Sequence, residues 1–203
     1  MADSDVDIAN MALTLLGQAS IVDLDEQVDS ARAIKRVYTI ALDAVLRDHN
    51  WNFAQIRVGL ARHDVAPVWD FAYQYVLPSD PYCLRVLETS LDSSEPWRIE
   101  TYKTAAEQSR VIVTDATSIK ILYLARLTDV ILWDALFADA FAFEIAFRAS
   151  FAITSDATLQ KNLQIEKEAA WRRARSRDGQ ESRALKSLLS ESFTSVRSRS
   201  TWR

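Results

Sequence analysis

The sequence predicts an α+β fold: a helical bundle built from N-terminal and C-terminal helices, a β-rich middle module, and an extended C-terminal tail. Three observations carry this. Apolar residues recur at helical spacing before residue 50 and again after residue 133, and the period falls to two in between. All four prolines (Pro67, Pro78, Pro81, Pro96) lie in the middle stretch, where they punctuate strands and turns. At 203 residues the chain can bury roughly 70% of its unfolded surface, so its core needs neither metal nor disulfide.

The first helix is read over 4–16. Ser4 caps it, Asp5 and Asp7 complement the positive end of its dipole, and Gly17 closes it in the left-handed conformation. Ile8, Met11, Ala12, Leu15 and Leu16 form its apolar stripe. After an acidic loop (Asp23, Asp25, Glu26) a second helix covers 29–49, with Ile34, Val37, Tyr38, Ala41, Leu42 and Val45 on one face. The insert spans 51–128. There Trp69, Phe71, Tyr73, Tyr75 and Leu77 alternate as a half-buried strand, Tyr82–Leu87 reads as core strand, and Val111–Thr114 and Ile119–Ala125 have strand composition. Asp92–Pro96 reads as an exposed loop.

Helix returns over 133–153, apolar on nearly every side, so other elements or neighbouring subunits should enclose it. Thr154 or Ser155 caps a last helix over 155–177. Its stripe is Leu159, Leu163, Ala170 and Ala174, its last turns hold Arg172, Arg173, Arg175 and Arg177, and Gly179 ends it. The chain thus divides into one domain, 1–178, and a basic Ser- and Arg-rich arm, 179–203. Serines cannot build a core, so the arm is expected to order on a partner, with Leu188, Leu189, Phe193 and Trp202 as anchors and Arg197, Arg199 and Arg203 meeting acidic groups.

Composition removes whole classes of chemistry. A single cysteine, Cys83, forbids an intrachain disulfide and a clustered-cysteine zinc site, and three scattered glycines (Gly17, Gly59, Gly179) leave no phosphate loop or nucleophile elbow. Residues 1–171 hold 15 basic and 25 acidic side chains, whereas 172–203 hold 9 basic and 3 acidic. An acidic body argues against duplex binding through phosphate neutralisation and a basic end suggests a different partner for the tail. The N-terminus is acidic and lacks an apolar export segment, and Asp134, Asp139, Glu144 and Arg148 make the 133–153 stretch too costly to insert, so no membrane is expected.

Finer motifs fail on spacing. In the Asp23–Asp29 loop a calcium-site reading puts Val28 or Ser30 where glycine is required and Ile34 or Arg36 where a bidentate Glu is required. Asp134, Asp139 and Glu144 lie five residues apart on different faces and are read as ion-pair partners of arginines. Cys83 with His49 or His63 would make a nucleophile and base, but its apolar neighbours mark it as core. Arg32, Lys35 and Arg36 would suit phosphates, yet Asp29, Asp43 and Asp48 on the same helix offset them. The six tryptophans are read as core or interface anchors. No catalytic, cofactor or metal residue is assigned.

An ordered series of segments then carries a family resemblance: Ile8 to Gln18 (IANMALTLLGQ) with Ile21, Leu46 to Ala54 (LRDHNWNFA), Tyr73 to Val86 (YQYVLPSDPYCLRV), Ile121 to Arg126 (ILYLAR) and Trp133 to Phe137 (WDALF). Over about residues 6–175 the chain resembles the head-to-tail adaptors of short-tailed bacteriophages, often called tail tubular protein A. The resemblance implies a non-enzymatic virion protein without cofactor. It implies a homo-oligomeric ring, typically of twelve subunits, joined to the portal protein above and the tail nozzle protein below, at the head–tail junction. Double-stranded DNA would pass through the lumen without specific binding. An acidic wall suits that passage. The arm lies beyond the resemblance; on its composition it is expected to grip a ring partner, the portal. Subunit contacts are expected from the helical parts, with Glu144 and Arg148 making assembly salt-sensitive. The alternatives are a DNA-binding packaging or regulatory factor acting through the basic tail, and a tail-associated cell-wall hydrolase.

Overall fold

The computed structural model describes residues 4–181. Among them the chain runs α1 (Asp5–Leu15), α2 (Asp29–Asp48), a 3₁₀ turn (Asn52–Ala54), β1 (Gln55–Gly59), β2 (Tyr73–Val76), β3 (Cys83–Thr89), β4 (Trp97–Lys103), β5 (Gln108–Thr114), β6 (Lys120–Ala125), a second 3₁₀ turn (Val130–Leu132), α3 (Ala135–Thr154) and α4 (Ala157–Glu181). The fold is α+β, as the sequence predicts.

The helices gather around α3, which packs against α1, α2 and α4. Its all-round apolarity follows from that position: Phe137, Phe141, Ala142, Ile145, Ala146 and Ala149 are all buried, and the alanines let neighbouring helices come close. Of the two enclosures expected for α3, other elements of the same chain supply most of the cover; Leu136, Phe143, Phe147 and Ile153 are partly buried, and Phe151 is its one large apolar side chain left exposed among the described residues.

Local chemistry sets the helix ends. The Ser4 hydroxyl accepts from the Asp7 amide at 3.1 Å, and Gly17 takes the left-handed conformation (φ 66°) that lets the Gln18 amide reach the Leu13 carbonyl at 2.9 Å. Between α3 and α4 the expected cap is corrected. Ser155 sits left-handed (φ 53°) and finishes α3, while Asp156 caps α4 by accepting from the amides of Thr158 (2.7 Å) and Leu159 (3.1 Å). A carboxylate completes that turn with its charge at the positive end of the dipole.

The middle module is two three-stranded antiparallel sheets, β1-β6-β3 and β2-β5-β4, closing on a small core of Tyr75, Leu77, Cys83, Ile112, Ile121 and Tyr123. Strand β6 joins this core to the helices. Ile121, Tyr123 and Ala125 face the β core and Leu124 faces the helical one, so KILYLA reads as an almost unbroken apolar run rather than an alternating one. The long strand expected over 69–77 shrinks to β2. Asp70 adopts φ 74°, and the Phe71 amide bonds the Trp69 carbonyl at 3.0 Å in a tight turn that leaves Trp69 76% exposed. Asp92–Pro96 is exposed, as expected.

Tyr38 on α2 packs edge-on against Phe141 with ring centroids 5.3 Å apart, but its buried hydroxyl has no hydrogen-bond partner among the described residues. Burial, reinforced by the charge of Asp5, pushes the phenol pKa up, so the hydroxyl stays protonated. A buried polar group without a partner costs about 1–3 kcal/mol. Tyr38→Phe keeps the ring contact and removes the cost. Urea unfolding should show it unchanged or stabilised by about 1 kcal/mol; destabilisation by that much would reveal a partner for the hydroxyl.

Candidate functional site

The chemistry of the described residues concentrates where α4 crosses α3 and ends beside α2. Glu144 on α3 is 6% exposed. Arg148 Nε donates to one of its carboxylate oxygens at 2.6 Å, Trp171 Nε1 donates to the other at 3.1 Å, and Lys167 Nζ stands 3.6 Å from the latter. Burial alone would push its pKa up. The hydrogen bonds from Arg148 and Trp171 and the two cationic charges outweigh burial and hold it below the ordinary carboxylate range. Asp139, one turn earlier, pairs with Arg173 at 3.7 Å, and Asp134 accepts from the amides of Leu136 and Phe137 at the start of α3. Ion pairing, the reading made from sequence, holds for Asp139 and Glu144; Asp134 instead caps the helix. Glu144 and Arg148 pair within the chain.

A second joint fixes the end of α4. The buried carboxylate of Asp178 accepts from the Asn52 amide at 2.8 Å and lies 2.9 Å from His49 Nε2, while Asn52 Nδ2 donates to the Asp178 carbonyl at 2.6 Å. One turn back, Arg175 pairs with Asp48 at 2.5 Å. These bonds carry the helix through Gly179 to Glu181, which corrects the expected stop at Gly179. Glycine weakens a helix interior by about 1 kcal/mol, less than a satisfied buried carboxylate supplies.

Above the joint lies an open groove of about 540 Å³, lined by Leu136, Ala169, Arg172, Arg173, Ser176, Arg177 and Gln180. Arg172 donates to the Glu168 carbonyl and Arg177 to the Gln180 side chain; neither faces a carboxylate among the described residues. Sequence reasoning noted these arginines only as partners of the helix dipole. The groove forms because three of them share a face of α4 with Leu136 of α3.

The predicted arm residues Leu188, Leu189, Phe193, Arg197, Arg199, Trp202 and Arg203 lie outside the described residues. Cys83 is buried in β3; burial pushes its thiol pKa up against the opposing charges of Arg110 and Arg47. Neither histidine is bonded to it: His49 is engaged by Asp178, and His63 accepts from the Val65 amide at 3.1 Å and lies 3.5 Å from Glu107. Most charges on α2 are engaged within the chain, Arg32 by Asp29, Lys35 by Asp25, Asp43 by Arg126 and Asp48 by Arg175. Among the described residues no three His, Cys, Asp or Glu side chains gather as a metal site, and no helix is long and apolar enough to cross a membrane. Asp178 is the residue sequence reasoning missed. Its signal was its spacing, since it continues the buried positions Trp171 and Ala174 at i+7 and i+4. No protein-family model matches the chain, and no curated protein shows significant similarity to it.

Proposed function

We propose that this chain is a structural subunit of a bacteriophage head-to-tail connector ring, seated between portal and tail nozzle around the passage for the genome. One observation supports the reading most: the polar residues of the segments that carry the adaptor resemblance serve as joints between elements. Asn10 clasps Ile21 twice, donating to its carbonyl at 2.9 Å and accepting from its amide at 2.8 Å. Arg47 donates to the Leu84 carbonyl at 2.7 Å, tying α2 to the β module, and Arg126 grips Asp43 beside it. His49 and Asn52 hold Asp178, and Trp133 donates to the Leu127 carbonyl at 3.0 Å. Side chains committed to internal joints tie the elements into one stiff body, which suits a part that bears load.

Sedimentation of the purified protein, alone and mixed with portal, tests this. The expected result is a particle of about twelve subunits, alone or on the portal, that weakens with rising salt. A salt-indifferent monomer even with portal present overturns the proposal. Release of fragments from peptidoglycan by the pure protein would move the reading to the hydrolase alternative.

A further inference from the structure

We infer that the basic groove on α4 is a docking surface for the acidic loop between α1 and α2 of a second copy of this chain. The inference rests on the ring reading and names the contact through which such a ring would close. The groove supplies three arginines around Leu136, two of them without a carboxylate partner among the described residues. The loop supplies the complement, with Asp23, Asp25, Glu26 and Asp29 beside Val22, an apolar side chain 88% exposed.

The loop is already shaped. Glu26 accepts from the amides of Val22 and Asp23 (the latter at 3.2 Å), the Asp23 carboxylate accepts from the Asp25 amide at 2.7 Å, and the Glu26 amide bonds the Asp23 carbonyl at 3.2 Å. It therefore presents its charges with little ordering cost. Lys35 and Arg32 touch Asp25 and Asp29, but these pairs are exposed and rearrange readily.

Geometry decides between folding back and pairing outward. The loop stands at the start of α2, while the groove stands by its end, because Arg175 and Asp178 of α4 are bonded to Asp48 and His49. A helix of 20 residues spans roughly 30 Å at about 1.5 Å per residue, so one chain cannot close the two surfaces on each other. Two different surfaces near opposite ends of α2 make a heterologous, head-to-tail contact, which gives a ring when its rotation closes.

The test is a charge exchange in the full chain, read by sedimentation at low salt with circular dichroism to confirm folding. Arg172→Glu/Arg177→Glu makes both patches acidic, and Asp25→Arg/Asp29→Arg, which also frees Lys35 and Arg32 from their ion pairs, makes both basic. Each variant alone is expected to self-associate on the order of 100-fold more weakly than wild type. An equimolar mixture pairs every reversed groove with a reversed loop and is expected to recover association. Variants that assemble like wild type overturn this contact and leave the ring reading standing. A mixture of two folded variants that stays monomeric also overturns it. If Arg172→Glu/Arg177→Glu assembles normally but loses the portal, the groove belongs to the portal and the inference is wrong. A wild-type chain that is monomeric with and without portal ends both readings.

Discussion

Glu144→Ala is expected to lower the free energy of unfolding by about 3 kcal/mol. Removing one member of a buried, hydrogen-bonded ion pair costs about 3–5 kcal/mol because its partners are left uncompensated. Here Arg148 keeps 32% of its side chain exposed and Lys167 18%, so both recover some solvation and the lower end applies. The indole N–H of Trp171 loses its acceptor as well. The pH dependence has a definite sign. The folded pKa lies below the unfolded one, so the stabilisation is present at neutral pH and above the ordinary carboxylate value of about 4.3; it is lost as pH falls through the lowered folded pKa. Glu144→Gln removes that part of the acid unfolding limb. Urea titrations at neutral and acid pH check both points, and a loss under 1 kcal/mol at neutral pH would contradict the assignment.

Trp51→Ala is expected to cost about 3–5 kcal/mol, the range for truncating a fully buried large aromatic. Trp51 is 1% exposed and packs edge-on against Phe137 at 4.9 Å and His49 at 4.5 Å, and tilted against Trp171 at 5.7 Å. Its indole also donates to the Val45 carbonyl at 2.9 Å, near the end of α2. It is the point where α2, α3 and α4 share one cluster, so the cavity cannot collapse from a single side. Trp51→Phe should recover about half of the loss, and a Trp51→Ala protein within 1 kcal/mol of wild type would show the cluster to be loosely packed.

The helices were legible because α1, α2 and α4 bury a face at regular spacing and α3 is apolar nearly all round, and where a boundary shifted the cause was a specific contact. Asp178 is charged, so a hydrophobic pattern skips it, yet its bonds to Asn52 and His49 extend α4 past a glycine. The strands were legible in proportion to burial. Strand β6 and the inner half of β5 carry apolar runs, whereas β4 (WRIETYK) is exposed along nearly its whole length and β1 is only half-buried, so neither leaves a core signature. The 69–77 alternation misled because aromatic side chains at period two also occur in a turn, here one that Asp70 bends with a left-handed backbone. Of the candidate site, the arginines were visible as a crowd. Their meeting with Leu136 depends on how α3 and α4 cross, which no local pattern encodes.

The central place of α3 also sets an order of events during synthesis. Helices α1 and α2 are made first, but the surface they pack against is α3, which follows the entire β module. At about 5–20 residues per second the ribosome needs several seconds to cover that distance. Through that interval Ile8, Leu13, Ile34 and Leu42, all buried in the finished protein, lack the α3 surface that completes their packing. The apolar faces of α1 and α2 therefore stay without their main packing surface until α3 is made, which places assembly of the helical core late in synthesis.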